Sequence, residues 1–287
     1  MKHLFAVVVS LVLAVLVISC SKYEYDIERF SYLDFDETSP SWSPDGKFII
    51  YSSSEGEGDL VIADLKTYRM NKLTSGKARD LAPAWSPDGE RIAFASDREG
   101  NLDIWVIDLG TKQMKRLTSD ISDDTFPKWS PDGKKILFQS KRGGNWDIWV
   151  MNADGSDQRR LTDYAGDDID PCWSPDGRRI AFASDRNGNL DIWVMNADGS
   201  GLTALTGMPQ DECQPAWSPN EERIAYTMLH PRGASIWSIR PDGTDPLKLT
   251  SGLKYDERPA WNPTEKNTIA FQSDRAGNFD IWILAIR

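Results

Sequence analysis

Six acidic residues, Glu37, Asp80, Asp124, Asp168, Glu212 and Asp256, each stand five positions before a tryptophan. Carboxylates in a repeated register can hold a cation, receive a basic partner or, taken in pairs, act as acid and base in glycoside cleavage. Each can instead make one structural bond per repeat, capping the start of a strand or pairing with an arginine such as Arg98, Arg142, Arg186 or Arg275. If the repeats close into a ring, the six acids fall around one mouth of its channel. A site seldom needs six identical copies, so the strict repetition favours the structural bond. No further residue supports a cation in the channel, and no cofactor is expected.

Other chemistry is sparse. His3 and His230 are the only histidines, and His3 belongs to a leader, which rules out a multi-histidine metal site. A Ser-His-Asp triad would need His230, and no nucleophile-elbow sequence accompanies it. Asp154-Gly155-Ser156-Asp157 lacks the acid spacing and terminal Glu of a calcium loop and reads as a turn. No catalytic residue and no metal ligand is assigned. The formal net charge of −11 argues against nucleic acid, which requires clustered Lys and Arg.

Positions that vary between copies are freer to carry function. Three before each tryptophan stand Ser39, Ala82, Phe126, Asp170, Gln214 and Arg258, each followed by Pro. These are placed at the channel entrance beside the acids. Met228-Leu229-His230-Pro231-Arg232-Gly233 replaces the usual Ser-Asp-Arg-x-Gly-Asn hairpin, and Trp146 takes a hairpin position held elsewhere by Leu102, Leu190 and Phe279. The candidate binding residues are therefore Phe126, Trp146, Asp170, Gln214, His230, Arg232 and Arg258. Trp146 has two readings, an exposed anchor or a packed counterpart of Leu102.

The elements that position these residues follow from the period. Trp42, Trp85, Trp129, Trp173, Trp217 and Trp261 are separated by 43, 44, 44, 44 and 44 residues. Within one unit, Ala82–Ser86 reads as a strand, Pro87-Asp88-Gly89-Glu90 as a turn, Arg91–Ser96 as a second strand, Asp103–Asp108 as a third and Gln113–Thr118 as a fourth. Four short strands in each of six repeats predict an all-β fold, a six-bladed β-propeller with four antiparallel strands per blade. Two aromatic columns, Tyr51 through Phe271 and Trp105 through Trp282, are expected between blades with the anchor tryptophans. The last repeat ends after its third strand. Counting back by the repeat spacing sets Glu28-Arg29-Phe30-Ser31 on Lys115-Arg116-Leu117-Thr118, so residues near Asp26–Ser31 are expected to supply the missing outer strand. Strand alternation puts the second-to-third hairpins and the blade-to-blade connections on one face, whose loops are longer and make it the expected binding face.

Met1-Lys2-His3 is a positive n-region, and Leu4–Ile18 is apolar except for Ser10. A run of about 15 residues is short for a membrane-spanning helix. Val17-Ile18-Ser19-Cys20 resembles the bacterial lipobox, which implies cleavage before Cys20, lipidation of its sulfur and attachment to a membrane. Ser21 resembles the sorting pattern for the outer membrane. The expected layout is a signal peptide over 1–19, a tether over 20–25 and a propeller over 26–287. Cys172 and Cys213 occupy positions where other repeats carry Ala, Leu or Ile and are expected as buried free thiols, although export permits a bridge.

The units Trp-Ser-Pro-Asp-Gly, Ile-Ala-Phe-Ala-Ser-Asp-Arg, Asp-Ile-Trp-Val-Met-Asn-Ala-Asp-Gly and Leu-Thr resemble the TolB-type propeller repeat, also called the WD40-like or PD40 repeat. The resemblance implies a protein-binding propeller on the periplasmic side of the cell envelope. The N-terminal α/β domain of TolB itself is not expected, since some 20 residues separate Cys20 from Trp42. Nor is the α/β-hydrolase domain that accompanies this repeat in peptidases. The resulting expectation is a lipid-anchored, monomeric, non-enzymatic propeller that binds an envelope protein or a cell-wall-associated partner. The alternative is a carboxylate-dependent hydrolase or lyase acting on saccharides or peptides.

Overall fold

The computed structural model describes residues 25–287. The leader, Cys20 and residues 21–24 of the tether lie outside them. Twenty-four strands form six four-stranded antiparallel sheets, and every sheet is one blade. In blade 1 the inner strand is Glu37–Trp42, followed by Phe48–Ser53, Asp59–Asp64 and the outer Met70–Lys72. The remaining inner strands run Asp80–Trp85, Asp124–Trp129, Asp168–Trp173, Glu212–Trp217 and Asp256–Trp261. The acid thus opens each inner strand and the tryptophan ends it.

Burial follows the interfaces. Six apolar clusters each join two neighbouring blades, as Ala84, Ile104 and Leu117 of blade 2 meet Trp129, Ile136 and Phe138 of blade 3. The second-strand aromatics Tyr51, Phe94, Phe138, Phe182, Tyr226 and Phe271 are fully buried. Trp42, Trp173 and Trp261 also donate Nε1–H to the carbonyls of Ala260, Lys128 and Ala216 on the preceding inner strand, at 2.9, 3.3 and 3.1 Å. The Ser-Pro-Asp-Gly turn that follows the tryptophan in blades 1 to 4 is held locally, with Ser130 and Ser174 donating to Asp132 and Asp176 at 2.6 Å.

The N-terminal strand Tyr25–Arg29 pairs with Asp280–Ile286 and completes blade 6. Its side chains repeat the outer-strand pattern. Arg29 pairs with Asp280 at 2.8 Å, as Arg160 does with Asp147 at 2.7 Å. Ser31 Oγ accepts from Ile281 N–H at 2.9 Å, as Thr118 Oγ1 accepts from Ile104 N–H at 2.9 Å. The other outer strands are shorter than the sequence suggests, two or three residues each. The threonine hydroxyl takes the third-strand amide where a further ladder bond would otherwise form.

One feature was not read from the sequence. Every inner strand slips register between its second residue and its fifth, the one immediately before the tryptophan. The first bulged residue is Ser39, Ala82, Phe126, Asp170, Gln214 or Arg258, at φ between 50° and 57°, and the second is Pro. Proline has no amide to give the ladder and disfavours the right-handed helical region for its predecessor, so the bulge settles on this pair.

Phe30 lies in the cluster that joins blades 6 and 1, with Trp42 and Ile281. Phe30→Ala is expected to cost about 3–5 kcal/mol, read as a lower denaturant midpoint; an unchanged midpoint would contradict closure by this strand.

Candidate functional site

The inner strands surround an axial channel with a cavity of about 420 Å³, lined from the bulge residue to the proline after the tryptophan. The cavity therefore lies in the half of the channel nearer the Ser-Pro-Asp-Gly turns. The six acids stand at the opposite ends of the inner strands and do not line it. They are also at most 2% exposed, so the expectation of a carboxylate ring at the channel mouth is corrected: the carboxyls turn into their blades.

Their partners explain the turn. Arg98, Arg142, Arg186 and Arg275, on the second-to-third hairpins, pair with Asp80, Asp124, Asp168 and Asp256 at 2.8, 2.5, 2.7 and 2.6 Å. Each guanidinium also stacks over the third-strand tryptophan of its blade, at 4.8 to 5.0 Å. Blades 1 and 5 have no arginine at that hairpin position, which carries Glu55 and His230. There the acid is Glu instead of Asp, and the buried aromatic is Tyr instead of Phe. Burial raises the Glu37 pKa to about 7, against the lowering effect of the Ser31 and Tyr51 hydroxyls. Burial also raises that of Glu212, opposed by Thr206, the Met208 amide and Tyr226.

A second set of acids, not singled out in the sequence, opens the third strands. Asp59, Asp103, Asp147 and Asp280 are buried against Lys72, Arg116, Arg160 and Arg29 of the outer strands. Blade 5 substitutes Ser235, whose Oγ meets His230 Nε2 at 2.7 Å and accepts from Trp237 Nε1–H at 2.9 Å. Ser235 is fully buried, out of reach of a substrate. Burial, with Lys248 adding to it, lowers the His230 pKa.

The seven candidate binding residues fall into two groups. Phe126, Asp170, Gln214 and Arg258 line the channel cavity. Arg258 stands over the Phe126 ring at 4.3 Å and meets Asp170 at 3.4 Å, linking blades 6, 3 and 4. Trp146, His230 and Arg232 lie instead on hairpins, beyond the acid-bearing ends of the strands. Trp146 is half-buried beneath Lys141, whose Nζ is 4.7 Å from the ring, and its amide binds Asp167 at 3.0 Å as the Leu102 amide binds Asp123. Arg232 is exposed.

Sequence reading passed over Lys128. It lines the same cavity from the position just before Trp129, where the other blades carry Ser41, Ala84, Cys172, Ala216 and Ala260. Reading that column alone would have found it. Cys172 and Cys213 are buried and unbridged. Among the described residues, no group of three or more His, Cys, Asp or Glu is placed to hold a metal ion.

The family described as the TolB β-propeller domain matches residues 33–157 and 143–263. The structure resembles TolB from Acinetobacter baumannii at 30% identity and a TM-score of 0.75, covering 82% of this chain and 59% of that one. A putative TolB from Agrobacterium tumefaciens is 24% identical, with coverage of 93% and 99% and a TM-score of 0.74. An oligogalacturonate lyase in complex with manganese shares the fold at 13% identity, coverage of 94% and 96% and a TM-score of 0.63. No curated protein matches the sequence significantly.

The buried glutamates give a pH test. A carboxyl whose pKa rises from 4.5 to about 7 on folding binds more protons folded than unfolded between those values. Its contribution to stability is therefore lost as pH rises through that window. Glu37→Gln removes this loss, so the variant should gain on the wild type from pH 4.5 to 7 and stay level above it. Parallel stability profiles would refute the assignment.

Proposed function

The chain belongs to the TolB β-propeller family, and on that footing we propose that it is a non-enzymatic protein-binding propeller of the cell envelope. The docking face is the one formed by the second-to-third hairpins and the blade-to-blade connections. These two sets of loops are bonded together: Asn101, Asn189 and Asn278 donate to connection carbonyls such as those of Ser122, Gln210 and Leu33.

The observation that carries the proposal is where apolar surface is left uncovered. Ile121 is 93% exposed and Leu253 80%. Tyr32, Phe35, Met208 and Tyr255 are exposed as well. All six lie on connections between blades, and they account for six of the nine exposed large hydrophobics among the described residues. Large apolar side chains left exposed on one face favour a protein partner.

Hydrolytic chemistry finds less support. The repeated carboxyls are buried inside the blades, and Asp170 is the single acid lining the cavity among the described residues. Glycoside cleavage by the usual route needs two carboxyls facing the substrate.

Ile121→Asp combined with Leu253→Asp should leave the melting temperature unchanged and weaken partner capture from solubilised envelopes roughly ten-fold or more. Undiminished capture would reject this face, and turnover of a glycan or peptide panel would reject the non-enzymatic reading. The envelope address rests on the lipobox-like Val17-Ile18-Ser19-Cys20. Cys20→Ala should move the protein from the membrane to the soluble fraction; continued membrane attachment would refute the anchor.

A further inference from the structure

We propose that the channel cavity binds a single carboxylate group, with Lys128 supplying the charge and Arg258 and Gln214 the directed hydrogen bonds. This site lies in the half of the channel away from the docking face, so it stands or falls independently of it.

Among the described residues three charged ones line the cavity: Lys128, Asp170 and Arg258. Asp170 is already engaged by Arg258 at 3.4 Å. Lys128 has neither a hydrogen bond from its ammonium nor an ion pair among the described residues. Along the cavity wall two cations thus share one carboxylate, in a chain whose formal net charge is −11; Glu257, behind the wall, also faces Arg258, but burial raises its pKa and it reaches neither the cavity nor Lys128. An ammonium withdrawn from bulk water is costly unless an anion meets it. Burial does push the Lys128 pKa down, with Arg258 adding to the effect and Asp170 opposing it. Cys172 lies beside it with a thiol pushed up to about 12 by burial, so it stays neutral and supplies no counter-charge.

The surroundings suit a small anion. Gln214 commits its Oε1 to the Arg258 amide at 3.0 Å and the Thr227 hydroxyl at 2.8 Å, which leaves its NH₂ as a donor without a partner among the described residues. The guanidinium is held in place by Phe126 at 4.3 Å. One unmatched positive charge selects a monoanion, since a phosphate dianion would carry excess charge into the channel. Proline and tryptophan side chains form most of the remaining wall and would face the ligand's body. The carboxylate can belong to a uronic acid or to the C-terminus of a short peptide.

Titration calorimetry with galacturonate and N-acetyl-alanyl-alanine separates these sources, with galactose, the dipeptide amide and inorganic phosphate as counterparts. At least one carboxylate should bind ten-fold or more tightly than its neutral counterpart and than phosphate. Lys128→Met should lose at least ten-fold, about 1.4 kcal/mol, while Lys128→Arg keeps the binding. Wild-type affinity should fall as pH rises through the depressed lysine pKa, and the Lys128→Arg affinity should not. Arg258→Gln provides a second reduction if Lys128→Met fails to fold. Equal binding of charged and neutral probes, preference for phosphate, or a folded Lys128→Met variant that binds like the wild type would each overturn the proposal.

Discussion

A four-stranded blade with two apolar faces cannot bury either of them alone, and the whole structure follows from that constraint. Each blade covers its neighbour, so the six apolar clusters sit between blades and not within them. The stack must then return to its start, or two apolar faces and an unpaired strand edge remain exposed. The N-terminal strand meets this demand by copying an outer strand in detail. Its Arg29 binds Asp280 and its Ser31 hydroxyl binds the Ile281 amide, contacts made in other blades by residues that follow the third strand directly, as Arg160 with Asp147 and Thr118 with Ile104.

The buried acids show how one structural problem is solved twice. A carboxylate at the top of each inner strand needs compensation once it leaves water. In four blades a hairpin guanidinium supplies it and packs on the aromatic rings as well. In blades 1 and 5 the arginine is missing, and three positions differ together: Glu for Asp, Tyr for Phe, and a changed hairpin. Glu brings the carboxyl one methylene further, and Tyr provides a hydroxyl where Phe has none. A hydroxyl cannot neutralise charge, and Glu37 accordingly rises to about 7. The two modules are alternatives of unequal strength: the Ser31 and Tyr51 hydroxyls favour the ionised acid, but burial outweighs them.

The architecture was legible because packing repeats. The tryptophan period, the aromatic columns and the register of Phe30 all reflect contacts made once per blade, so each appears in the sequence several times over. The direction of a side chain at the channel was less legible. The acids were expected at the channel mouth from their register five positions before the tryptophan, which fixes their place along the strand and not where the carboxyl turns. The Pro-containing bulge lies between them and the cavity, which Phe126, Asp170, Gln214 and Arg258 line. Proline inside a strand was the available signal. Trp146, His230 and Arg232, read from the sequence as hairpin residues, do not line the cavity.

Repetition and function pull in opposite directions in such a ring. A contact needed by every blade must be the same in every blade, while a ligand without six-fold symmetry needs the blades to differ where it touches them. The bulge column meets both needs. Its backbone is constant, with φ between 50° and 57° in all six blades, and several of its amides are capped by the preceding blade, as Asp170 N–H is by Gln139 and Ser39 N–H by Gln272. Its side chains run from Ala82 to Arg258. A fixed backbone holding unlike side chains around one axis can place a cation, an acid and an aromatic ring from three blades within contact of one another, as Arg258, Asp170 and Phe126 are. Lys128 is the same principle two residues along the strand: its carbonyl receives the Trp173 clamp, as Ala260 and Ala216 receive theirs, and only its side chain departs from the repeat.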